Sequence, residues 1–161
     1  MIKLLPATSA EIPTIYQLAV KIWNHHYVPI VGQEQVDYML AKIYSTEDLT
    51  RQMTESKHQF YLIEINGLIR GFISVSGQED MFIHKFYIDQ DIQGQGHGAT
   101  TFSELLAIYP AVKTFSLTVN RSNYKSINFY FKLGFKIDHV ADFDIGQGYF
   151  MNDFVMKWER K

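Results

Sequence analysis

At 161 residues, with a formal net charge of −2 and no cysteine, the chain has the length of one ordinary domain and no means of building a disulfide framework or a cysteine nucleophile. Lysine and arginine form no block along it, which argues against a nucleic-acid partner. No apolar run approaches the ~20 residues of a membrane-spanning helix, and the start, Met1 to Pro6, is too short for a signal h-region, so a cytoplasmic protein without a membrane partner is expected. Acidic and basic side chains number nine and six in residues 1–80 but eight and nine in residues 81–161. That mild tilt suits an anionic ligand on the C-terminal half and a cationic one facing the N-terminal half.

In chain order, Ile2 and Leu4 suggest a first strand. Ser9 then stands as the cap of a helix whose stripe is Ile12, Ile15, Leu18, Ala19, Ile22 and Trp23, with Pro13 tolerated in its first turn. Pro29 and Gly32 predict a break before a second helix around Glu34 to Tyr44, and Thr46 to Thr54 reads as a short third. Phe60 to Glu64 and Ile69 to Val75 flank Asn66-Gly67, a hairpin signal. Met81 to Ile88 alternates, with Phe82, His84, Phe86 and Ile88 on one face and Met81, Ile83, Lys85 and Tyr87 on the other, the period of a strand. Ala99, Phe102, Leu105, Leu106 and Tyr109 recur at helical spacing until Pro110. A strand follows at Phe115, Leu117 and Val119. A helix from Tyr124 to Leu133 comes next, with Ile127, Tyr130 and Phe131 on one face and Gly134 as its stop. Phe135 to Phe143 and Tyr149 to Trp158 form a last strand pair. The expectation is a single domain, an α/β sheet with helices on both faces.

The densest signal is Gln93-Gly94-Gln95-Gly96-His97-Gly98-Ala99-Thr100, which joins a strand to a helix. Glycine admits positive φ and lets a ligand reach backbone N–H groups, and a helix start offers unpaired donors and the positive dipole end, so the layout suits a phosphate. A P-loop would need Lys-Ser/Thr where the chain has Ala99-Thr100, and a Rossmann fingerprint would need Gly at 99. A plain tight turn stays open on these residues alone.

The order of pieces is more specific than any one of them. Gln93-x-x-Gly96-x-Gly98, then Leu117-Thr118-Val119, Asn123 and Phe129-Tyr130-Phe131-Lys132-Leu133-Gly134-Phe135, resembles the GCN5-related N-acetyltransferases (GNAT), which transfer acetyl from acetyl-CoA to amines. In outline the remainder looks like the bacterial spermidine/spermine acetyltransferase branch. The resemblance implies a mixed, mostly antiparallel sheet with a splayed central strand pair, and acetyl-CoA as co-substrate. It places the diphosphate on Gln93, Gly94, Gln95, Gly96, His97, Gly98, Ala99 and Thr100, and the pantetheine on Phe86, Tyr87, Ile88 and Asn123. Tyr130 becomes the general acid for the departing thiolate, also touching the cofactor. Asn123 doubles as a helix cap, and Lys132 is either a phosphate contact or a solvated lysine.

The proton acceptor is the departure. Many members carry a carboxylate where this chain has Phe82, which leaves His84, or Glu79 and Asp80 at the strand's start, as candidates. Trp23, His26 and Tyr27 are candidates for acceptor recognition, or else pack a helix joint. His25, His26 and His58 have no third member at ligand spacing, so no metal is assigned. The expected activity is direct acetyl transfer to a small amine such as a polyamine, by a monomer or homodimer. The alternatives are a protein N-terminal or lysine acetyltransferase, or an acyl-CoA-binding module that transfers nothing.

Overall fold

The Asn66-Gly67 turn shows how the first sheet residues are placed: both have positive φ, 51° and 84°, the pair of left-handed conformations that lets a two-residue loop follow the twist of its strands. It joins β2 (Gln59–Ile65) to β3 (Leu68–Gly77), antiparallel, and β1 (Ile2–Ala7) pairs antiparallel with β2 from the other side. The computed structural model describes all residues, 1–161. The other strands are β4 (Asp80–Ile88), β5 (Thr114–Asn120), β6 (Lys136–Gly146) and β7 (Tyr149–Glu159), and the seven-stranded sheet runs β1-β2-β3-β4-β5-β7-β6. Its one parallel ladder among the registered pairs, β4 with β5, takes in only Asp80 to Phe82 against Thr114 to Ser116. A ladder that stops after three residues agrees with the splayed pair expected from the sequence.

Six helices accompany the strands: α1 (Ile12–His26), α2 (Val28–Val31), α3 (Gln33–Ile43), α4 (Thr46–Thr54), α5 (His97–Ile108) and α6 (Tyr124–Leu133). None is long and apolar enough to cross a membrane. The expected stripe of α1 is buried at Ile12, Ile15, Ala19, Ile22 and Trp23. Its cap differs from the expectation. Thr8, not Ser9, caps a 3-10 turn in front of α1, in a box where Thr8 and Glu11 bond each other's backbone N–H side, because Glu11 stands three residues after Thr8 and not after Ser9. Pro29 does not break the chain but lies in the first turn of α2, where a missing N–H is harmless. Phe131 is 46% exposed while Ile127 and Tyr130 are buried, so the inward face of α6 is narrower than its aromatics suggested.

The chain forms two compact units, residues 1–76 with 85–110 and residues 77–84 with 111–161. In the first, Ile63, Ile65 and Ile88 make a core with Ile2, Leu4, Phe86 and Ile92 packed on it. Gly71 has no alternative there, since a Cβ would lie 2.1 Å from the Tyr87 carbonyl oxygen. In the second, β5 buries Phe115, Leu117 and Val119 and leaves Thr114, Ser116, Thr118 and Asn120 half-buried. β6, last in the sheet, is mostly exposed.

Candidate functional site

In the first unit the glycine loop is held at its start by Asp89, directly after β4. The Asp89 N–H donates to the Arg70 carbonyl at 2.7 Å, and its carboxylate accepts from Lys21 Nζ at 2.7 Å and from the Asp91 N–H at 3.1 Å. Arg70 lies 3.6 Å away. Burial alone would raise this carboxyl, but the bonds from Lys21 and Asp91 and the charges of Lys21 and Arg70 together hold it below the usual range. Gln93 donates to the Ile88 carbonyl. Gly94 and Gly96 then take φ of 81° and 76°, which ordinary residues disfavour, and an added Cβ on either would meet nothing within 4 Å.

Gly96 is the N-cap of α5. The Thr100 N–H closes the first helical bond onto Gly96 O at 3.2 Å, so of the four donors expected to face a phosphate only those of His97, Gly98 and Ala99 precede the helical ladder. Gly98 is in the helix without positive φ, so its backbone does not require glycine. Gln95 Oε1 and His97 Nε2 are 3.3 Å apart beside the loop.

The acceptor candidates lie in the same unit. Trp23 is 4% exposed and packs on Tyr27 at 4.4 Å, Tyr44 at 5.9 Å and Tyr87 at 6.0 Å between ring centroids. It therefore supports the strand carrying Phe86, Tyr87 and Ile88 and is not itself open to an acceptor. His26 and Tyr27, edge to face at 4.8 Å, are half-buried. Lys85, on the same strand, was not legible as a core residue: it is 6% exposed, donates to Gln52 Oε1 at 2.6 Å and has Phe60 and Tyr44 ring centroids 5.4 and 5.5 Å from its Nζ. Burial pushes its ammonium down to about 8.

The second unit holds His84, Asn123 and Tyr130. His84 stands on β4 beyond the end of the parallel ladder, its ring 4.9 Å from that of Phe82. Asn123 is 2% exposed and caps α6, accepting from the Ser126 N–H at 3.3 Å. Tyr130, 9% exposed, sits between the rings of Phe129 and Phe135 at 5.2 and 5.5 Å. Gly134, φ 100°, ends the helix, and Phe135 N–H reaches back to Tyr130 O, which fixes the turn of α6 that carries the phenol. Lys132 is exposed.

One further group belongs to no motif. Asp153 on β7 is 2% exposed, and its Oδ1 has no hydrogen-bond partner. Burial pushes its carboxyl up to about 6, against the pull of the neighbouring Thr118 hydroxyl and the charge of Arg121. Arg121 bridges Asp142 at 2.8 Å and reaches the Asp153 carbonyl at 3.4 Å. In sequence Asp153 follows Asn152 in an alternating strand, and only the β5 register opposite it reveals its burial.

A model of the acetyltransferase (GNAT) domain matches residues 27–144. The chain belongs to this family and is an acetyltransferase of the GNAT type. Among curated proteins it is similar to the peptidyl-lysine N-acetyltransferase YjaB of Escherichia coli, 29% identical over 116 residues, 70% of this chain and 74% of that protein. It is 31% identical to YjaB of Salmonella typhimurium over 80 residues, 49% of this chain and about half, 51%, of that protein. Among solved structures it superposes on the PaiA N-acetyltransferase of Thermoplasma acidophilum, in complex with coenzyme A, with a TM-score of 0.81 at 22% identity over 99% of both chains.

Proposed function

We propose that the protein transfers acetyl from acetyl-CoA to a primary amine, with the ε-amine of peptidyl lysine as the acceptor class. The observation that carries the cofactor half is the glycine loop: positive φ at Gly94 and Gly96, then three donors of α5 ahead of its first bond, a seat for a diphosphate. Phe86, Tyr87 and Ile88 offer backbone groups to the amides of the pantetheine arm, and Asn123 a side-chain amide. The lysine reading is supported by the YjaB relatives, which are named for that acceptor.

In the reaction a neutral amine attacks the thioester carbonyl, a backbone N–H near Ile88 steadies the oxyanion, and the carbon–sulfur bond breaks. Tyr130 gives its phenolic proton to the thiolate, and the proton shed by the amine nitrogen returns by way of solvent to restore the phenol. The amide product retains the acetyl carbon, and CoA leaves as the thiol.

The test is thiol release from acetyl-CoA with a lysine-containing peptide and, separately, with spermidine. Release with the peptide supports the reading, and Tyr130→Phe, which keeps the ring, lowers kcat by about 10²-fold with the KM for acetyl-CoA little changed. A preference for spermidine that fades with added salt assigns the acceptor to polyamines instead. Binding of acetyl-CoA with no thiol release from any amine overturns catalysis and leaves the binding module.

A further inference from the structure

The β5–β7 ladder brings a half-buried hydroxyl and a covered carboxylate onto one face of the sheet. Asn120 is paired with Asp153 and Thr118 with Val155, so Thr118 and Asp153 are diagonal neighbours on one face of the sheet, where the Thr118 hydroxyl favours the charged form of the Asp153 carboxylate. Thr118 is half-buried, whereas Asp153 is covered. The opposite face of β5 carries Phe115, Leu117 and Val119, and there the end of α6 closes: a Cβ on Gly134 would lie 3.5 Å from the indole of Trp158, which is paired with Phe115.

We infer that Thr118 and Asp153 form the proton-accepting pair of the transfer reaction, Thr118 touching the acceptor amine and Asp153 acting through it. This rests on the proposed acetyl transfer. As the amine nitrogen bonds the acetyl carbon, its N–H proton passes to Thr118 Oγ1, whose own proton moves to the Asp153 carboxylate, which becomes the neutral acid. The carbon–sulfur bond breaks and the thiolate takes the Tyr130 proton. The geometry fits because an amine and its leaving group occupy different sides of the tetrahedral carbon, and the acceptor pair and the helix of the acid lie on opposite faces of β5. A covered carboxylate with one idle oxygen is costly when charged, so it welcomes a proton when one is released. A hydroxyl poised between water-side and carboxylate gives that proton a route. Thr118 falls inside the strand whose pattern identified the family, and Asp153 supplies the carboxylate that Phe82 does not.

The charged groups acting on Asp153 are Arg121, from the turn after β5, and Asp142 on β6; His139, opposite Val155, is held by Asp138 at 2.6 Å. The experiment follows kcat and kcat/KM against pH for a lysine peptide and acetyl-CoA in the wild type, Thr118→Val, Thr118→Ser, Asp153→Asn, His84→Gln and the Thr118→Val/Asp153→Asn double variant. Thr118→Val and Asp153→Asn should each lower kcat by about 10- to 100-fold with the KM for acetyl-CoA within about twofold. The double variant should be no worse than the weaker single one, as for groups acting as a unit. Asp153→Asn should lose the acidic limb near pH 6 that His84→Gln keeps, and Thr118→Ser should recover most of the rate.

Full turnover of the peptide in either single variant, multiplicative losses in the double one, or a limb lost in His84→Gln and kept in Asp153→Asn overturns the pair while leaving acetyl transfer intact. If Asp153→Asn fails to fold, Thr118→Val against Thr118→Ser decides alone. A wild type that binds acetyl-CoA yet releases no thiol with any amine overturns the transfer reading, and the pair with it.

Discussion

Replacing Lys85 with methionine should make the protein more stable at neutral pH, although it deletes a hydrogen bond and two ring contacts. The ammonium is 6% exposed, and burial lowers its pKa from 10.5 to about 8. At 1.36 kcal/mol per pH unit, that gap means the charge costs about 3 kcal/mol in the folded state relative to the unfolded one. Methionine has nearly the same length and no charge, so it removes this cost. Against it stands the bond to Gln52, about 1.5 kcal/mol for a charged donor, which leaves a net gain of about 1–2 kcal/mol and about 2–8 °C in Tm. The pH dependence separates this from ordinary repacking. The folded pKa lies below the unfolded one, so between pH 8 and 10.5 the unfolded chain holds the extra proton and wild-type stability grows as pH rises through that window. Urea melts at pH 7, 9 and 10.5 should therefore show the advantage of Lys85→Met shrinking, passing through zero inside the window and reversing by about 1 kcal/mol at pH 10.5. A variant less stable at pH 7, with a pH profile parallel to the wild type, refutes the reasoning.

Gly96→Ala should cost about 1–2 kcal/mol of stability through its left-handed φ, whereas Gly98→Ala should leave stability unchanged and still weaken acetyl-CoA binding; calorimetric titration beside thermal melts distinguishes them. Asp89→Asn should destabilise by about 1–3 kcal/mol at pH 7. Because the Asp89 carboxyl is held below its usual range in the fold, its contribution is present above the unfolded pKa and is lost as pH falls through the folded one, so variant and wild type should converge in acid. Asp153 has the opposite sign: its folded pKa of about 6 exceeds the ordinary 3.8, so stability falls as pH rises between those values. Asp153→Asn should then be more stable at pH 7 by about 1–2 kcal/mol, less than the full gap of about 3 because the attraction between Arg121 and the carboxylate is lost with the charge, and a melt at pH 4 should show the two alike.

Local chemistry made much of this readable in advance. The Asn66-Gly67 turn, the α4 bounds, the strand before the glycine loop and the Gly134 stop each follow from a few residues whose backbone preferences have one good solution. Phe131, Ser9 and Pro29 went otherwise because a helix face, a cap and a first turn are decided by neighbours: Phe135 fills the inward side of α6, Glu11 selects Thr8, and Tyr27 starts α2 early. In the candidate site, the loop from Gln93 to Thr100, Asn123 and Tyr130 carried a recognisable spacing. Asp89, Lys85 and Asp153 did not. Each is a charged residue whose burial is created by a distant partner, Lys21, Gln52 or the β5 register, and no periodicity within its own strand announces that. Asp89 had a faint mark, an aspartate just ahead of a turn, as a cap requires.

The outermost strand has consequences for handling the protein. β6 presents eleven residues at the end of the sheet with Ile137, Val140 and Phe143 exposed, an unpaired backbone rim with greasy side chains that could recruit a second rim of the same kind. Asp138, Asp142 and Asp144 interrupt it, and in a stacked pair of such rims their like charges would oppose one another. The safeguard is ionic and therefore conditional: acid that neutralises these carboxylates, or salt that screens them, should convert a well-behaved solution into one that clouds and gels.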